Sequence, residues 1–84
     1  MSALILLSKP GCHLCEVMKA LASPLLDELG LGLVERDIRD DPENERRYAT
    51  RIPVLLWEGA VVAEGRTTAD VLRARLAELA TARS

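Results

Sequence analysis

The sequence predicts an α/β fold in the order β-α-β-α-β-β-α, with a four-stranded mixed sheet flanked by helices. Three observations carry that expectation. Two short apolar runs, Ala3–Leu7 and Ile52–Trp57, are bounded by turn residues. Between them His13–Leu29 has helical apolar spacing, and Glu58-Gly59 turns the chain back after the second run. A chain of 84 residues suits one small domain, so residues 1–84 are expected to form a single unit.

Ala3-Leu4-Ile5-Leu6-Leu7 is continuously apolar, the pattern of a strand covered on both faces, and Ser8-Lys9-Pro10-Gly11 ends it. Leu14, Val17, Met18, Leu21, Leu25 and Leu29 then line one face of a helix. Pro24 either kinks this helix, because its ring conflicts with the carbonyl four residues earlier, or opens a new turn capped by Ser23. Gly30 stops the helix, and Leu31–Ile38 has the pattern of a second strand. Asp40-Asp41-Pro42-Glu43 supplies the acceptor, proline and acid of a helix start, which predicts a short helix to about Ala49. Ile52–Trp57 and Ala60–Ala63 form a hairpin about Glu58-Gly59. Thr67-Thr68-Ala69-Asp70 resembles a capping box, and Val71, Leu72, Leu76, Leu79 and Ala80 form the buried face of the last helix. The first β-α-β unit is expected to be parallel with a right-handed crossover and the hairpin antiparallel, with helices on both faces.

Charge and composition narrow the functional classes. Eleven basic and thirteen acidic residues are interspersed for a net charge of −2, so no broad positive field attracts a phosphate backbone. Tyr48 and Trp57 are the only aromatic residues, which leaves few platforms for stacking bases. Nucleic-acid binding is therefore not expected. No segment approaches a membrane span, and Ala3–Leu7 is too short for a signal-peptide core and has no basic residue before it. The expectation is a cytoplasmic monomer in a reducing compartment, where a cysteine pair is catalytic or metal-binding rather than a permanent disulfide.

Cys12 and Cys15, the only cysteines, stand three positions apart where a turn gives way to a helix. As a structural staple they would close so small a loop that the gain is only about 2 kcal/mol, lost under reducing conditions. As a zinc site they are half of a tetrahedral set; His13, the sole histidine, lies between them, so a carboxylate or a second molecule would have to complete it. As a redox pair they have positive support, because the start of a helix offers unpaired N–H groups and partial positive charge to a thiolate. Lowering a thiol pKa from about 8.5 to about 7 raises its reactive fraction at neutral pH from about 3% to about 50%. Cys15, one turn further on the same side, is placed to attack a mixed disulfide at Cys12. Lys9 either favours that thiolate or meets a substrate carboxylate, or is simply solvated. His13 either stabilises the reduced form as an imidazolium or faces solvent in the first turn.

Ser8-Lys9-Pro10-Gly11-Cys12-His13-Leu14-Cys15 after an apolar strand, with Arg51-Ile52-Pro53-Val54-Leu55 before a hairpin, resembles the glutaredoxin branch of the thioredoxin superfamily. The resemblance covers nearly the whole chain and is strongest to small bacterial glutaredoxin-like proteins. It implies a thioredoxin-like fold and a thiol–disulfide oxidoreductase, with Cys12 as nucleophile and Cys15 as resolving thiol. Its substrates would be protein disulfides or glutathione mixed disulfides, with glutathione a possible co-substrate; no tightly bound cofactor and no metal are expected. It also implies a cis Ile52–Pro53 bond facing Cys12, with the Ile52 backbone pairing to an extended substrate.

Dithiol glutaredoxins usually carry Cys-Pro-Tyr-Cys and a Gly-Gly pair followed by an acid, which together hold glutathione. Here the middle pair is His13-Leu14, and Ala63-Glu64-Gly65-Arg66-Thr67-Thr68-Ala69-Asp70 occupies the second region, with Gly65 and Asp70 standing in for parts of that motif. Glu64 would repel a carboxylate if it pointed inward. Arg51 and Arg66 either form an anionic-ligand site or are ordinary solvated cations. Two further readings stay open: an iron–sulfur cluster shared by two copies through Cys12, and a partner-binding module without turnover.

Overall fold

Leu6 is the centre of the fold: across the sheet it faces Glu35 on one side and Leu55 on the other. Its strand, β1 (Ala3–Ser8), runs parallel to β2 (Gly32–Asp37) and antiparallel to β3 (Val54–Trp57), which pairs antiparallel with β4 (Ala60–Glu64). The sheet order is β2-β1-β3-β4, so the mixed sheet and the element order are as expected. Among the described residues three α-helices complete it: α1 (His13–Leu29), α2 (Pro42–Tyr48) and α3 (Ala69–Arg83). The structure is a computed structural model that describes residues 3–83, with side chains through Thr81.

α1 is one helix through Pro24. Ser23 does not cap a new turn; its hydroxyl donates to the Lys19 carbonyl at 2.8 Å. The helix ends at Gly30, whose φ of 70° lets the Leu31 N–H reach the Leu26 carbonyl at 2.9 Å. The buried stripe is Cys15, Met18, Ala22, Leu25 and Leu26, whereas Val17 and Leu29 are exposed. The stripe is centred on Met18 and Ala22, which leaves Val17 at its border.

The second strand is shorter than its apolar pattern suggested. Asp37 accepts a hydrogen bond from the Arg39 N–H at 2.8 Å and turns the chain into a 3₁₀ turn, Ile38–Asp40, so Ile38 plugs the core instead of extending the strand. Asp41 caps α2 and Pro42 occupies its first turn, as expected. Glu58 and Gly59 both have positive φ, the geometry of a tight two-residue hairpin turn. A register shift between Leu55 and Leu56 marks a bulge in that hairpin. α3 is capped by Thr68, which accepts from the Val71 N–H at 3.2 Å, rather than by a Thr67–Asp70 box. Its buried residues are Leu72 and Leu76; Val71, 49% exposed, and Ala80 face outward, because the stripe is narrower than a five-residue face.

The two faces of the sheet are covered unequally. On one, Leu4, Leu6, Leu55, Trp57 and Val62 pack against α1 and α3. On the other, Leu7 and Val54 pack with Ile38 and Tyr48, and α2 is only seven residues long. The expectation that β1 is covered on both faces fails here: Ile5 is 36% exposed and Val34 on β2 39%. A groove of about 520 Å³ opens beside Ala3, Ile5 and Leu56. Among the described residues no helix is long and apolar enough to cross a membrane.

Candidate redox site

The candidate site lies at the end of the sheet where β1 finishes. After Ser8 the chain turns through Gly11, at φ 79°, with the Cys12 N–H reaching the Lys9 carbonyl at 3.3 Å. Cys12 is then the N-cap of α1, and its Sγ accepts the Cys15 N–H at 3.2 Å. The two cysteines form a disulfide with a Cα–Cα separation of 5.2 Å. Their environments differ: Cys12 is half-buried, whereas Cys15 is 1% exposed. A thiolate formed at Cys12 on reduction would sit on a backbone donor at the positive end of a 17-residue helix.

The register of the sheet brings a second segment to the same end. β3 begins at Val54, opposite Leu7, so Ile52–Pro53 falls beside the end of β1, and its peptide bond is cis. Pro53 is buried, and its carbonyl accepts the Gly65 N–H at 2.8 Å, which pins the stretch after β4 against it. β4 ends at Glu64, opposite Val54, so Gly65, Arg66 and the start of α3 with Asp70 follow at this end. Topology thus brings the segments that carry Lys9, Cys12, His13, Cys15, Ile52, Pro53, Gly65 and Arg66 to one end of the sheet.

Arg51 is held by its neighbours, whereas Arg66 is exposed. The Arg51 Nε donates to Glu64 Oε2 at 2.6 Å, its guanidinium lies 5.2 Å from the Tyr48 ring centroid, and the Arg51 backbone N–H donates to the Tyr48 carbonyl at 2.8 Å. The Glu64 carboxylate holds the Arg51 pKa above its ordinary value. Lys9, Arg66 and Asp70 are exposed.

Sequence reasoning missed a polar cluster beside the loop. Ser8, 5% exposed, donates to Glu35 Oε2 at 2.9 Å, and Lys19 donates to Glu35 Oε1 at 3.1 Å. The Ser8 hydroxyl, then Lys19, hold the Glu35 carboxyl below its usual range, and Glu35 in turn raises Lys19. Only the pairing of β1 with β2 joins Ser8 to Glu35, so helical or strand periodicity could not reveal it. Among the described residues no group of three or more His, Cys, Asp or Glu side chains is arranged to hold a metal ion.

Residues 3–77 match the family model described as Glutaredoxin-like domain (DUF836). No curated protein matches the chain. Among solved structures it is similar to protein XcR50 from X. campestris, at 31% identity and a TM-score of 0.70, covering 89% of this chain and 96% of that one. It is also similar to protein Ne2328 from Nitrosomonas europaea, at 29% identity and a TM-score of 0.74 over 87% of this chain and 88% of that one. Mitochondrial thioredoxin 3 from Saccharomyces cerevisiae, in its oxidised form, shares the fold at 18% identity and a TM-score of 0.56, with 90% of this chain and 74% of that one covered. The fold is thioredoxin-like, and its Cys12–Cys15 disulfide fits redox function. A family model that spans most of the chain, over a four-stranded sheet with a Cys-x-x-Cys pair at the start of its first helix, identifies the chain as a member of the glutaredoxin-like (DUF836) family.

Proposed function

We propose that the protein is a thiol–disulfide oxidoreductase acting on protein disulfides or glutathione mixed disulfides. The observation that carries this reading is the asymmetry of the pair: Cys12 is a half-buried residue at a helix start, and Cys15 is buried one turn behind it.

The Cys12 thiolate attacks one sulfur of the substrate disulfide, forming a mixed disulfide as the other sulfur leaves as a thiolate and takes up a proton. The Cys15 thiolate, having released its proton, then attacks the Cys12 sulfur and expels the second substrate thiolate. Two electrons pass to the substrate, and Cys12–Cys15 is left as the disulfide. Two thiols, such as glutathione in a reducing cytoplasm, restore the dithiol and leave as a disulfide.

In this reading the Ile52 backbone, held beside the site by Pro53, offers a donor and an acceptor to an extended substrate. In the same reading Lys9, His13, Arg51, Gly65, Arg66 and Asp70 would contact the entering substrate. The test is reduction of a glutathionylated peptide. Cys12→Ser is expected to lower the rate to the uncatalysed level, whereas Cys15→Ser retains monothiol exchange. A wild-type protein with no thiol exchange against any donor would sink the proposal.

A further inference from the structure

We infer that Glu64 is a specificity residue, which by pairing with Arg51 beside Ile52–Pro53 biases the site against anionic disulfides and toward neutral or cationic ones. The inference rests on the disulfide exchange proposed above. Arg51 lies two residues before Pro53, and Glu64 stands opposite Val54, one residue after it, so the ion pair brackets the segment. The Gly65 N–H bonded to the Pro53 carbonyl holds the Glu64 end in place, and the Tyr48 ring and carbonyl hold the Arg51 end.

A substrate carboxylate arriving beside Ile52 would seek a cation, and the Arg51 charge already has a partner 2.6 Å away. To use it, the substrate must displace Glu64 and then lie next to an unpaired carboxylate, exchanging one contact for another and adding a like-charge repulsion. A neutral or cationic disulfide meets no such cost. Both side chains are more than two-fifths exposed, so solvent screens the effect and a modest selectivity is expected.

The experiment uses one peptide whose cysteine is a mixed disulfide with either glutathione, which is anionic, or 2-mercaptoethanol, which is neutral. The readout is the ratio of kcat/KM for the glutathione form over the mercaptoethanol form at low ionic strength. Glu64→Gln is expected to raise that ratio about fivefold, the scale of an exposed charge interaction, and added salt to erase the gain. Glu64→Lys is expected to raise it further, and Arg51→Gln to lower it. A ratio that does not respond to Glu64→Gln or Glu64→Lys, with both peptides still turned over, overturns the inference and leaves the exchange reading intact. Wild-type protein that turns over neither peptide overturns both.

Discussion

The two faces of the sheet were built to different depths from the same strands. On the α1/α3 face, long helices cover Leu4, Leu6, Leu55 and Trp57 and exclude water from a continuous core. On the other, a 3₁₀ turn and a seven-residue helix seal only the end near Leu7 and Val54 and leave Ile5 and Val34 partly in solvent. Apolar burial scales with the area removed from water, so the first face supplies most of the stability. The cysteines lie at neither core's centre but at the end of the sheet where β1 finishes.

Mutations on β1 test this contrast most directly, because its alternate residues face opposite sides. Leu6→Ala opens a cavity under α1 and is expected to cost about 2–5 kcal/mol in urea unfolding. Ile38→Val, in the thinner core of the second face, is expected to cost about 1 kcal/mol. Ile5→Thr is expected to cost no more than about 0.5 kcal/mol, the scale of a surface change. An Ile5 variant as damaging as Leu6→Ala would mean that the second face is as well sealed as the first.

The smallest effect concerns the turn that begins the thin cover. Arg39, through its guanidinium and its backbone N–H, holds the Asp37 carboxyl down at about 2 from an ordinary 3.8. A carboxyl whose folded pKa is depressed contributes stability that is complete above its unfolded pKa and is lost as pH falls through the folded value. The Asp37 contribution is therefore expected to be present above about pH 4 and to fade toward pH 2, and Asp37→Asn to flatten that part of an acid-unfolding curve. NMR titration of Asp37 checks the assignment.

Much of the architecture was legible because it rests on local rules. Apolar spacing located α1, Asp41-Pro42 announced α2, and Gly30 and Glu58-Gly59 marked a helix end and a hairpin. Cys12 and Cys15 were legible for a related reason: a pair three residues apart at a helix start is a local motif. The Arg51–Glu64 and Ser8–Glu35 contacts were not, since they join residues 13 and 27 positions apart. The faces of Val17 and Val71 were misjudged because spacing defines a stripe but not its width.

By itself, then, the sequence determined the element order, the turns, the cysteine pair and its resemblance to a family, all of which are assembled from short stretches that can each be read locally. Tertiary structure alone decided which sheet face stays open, that Gly65 is bonded to the Pro53 carbonyl, and that Arg51 is paired with Glu64. Those outcomes depend on strand register and helix length. Register is a property of two segments at once, and no single stretch of the chain carries it.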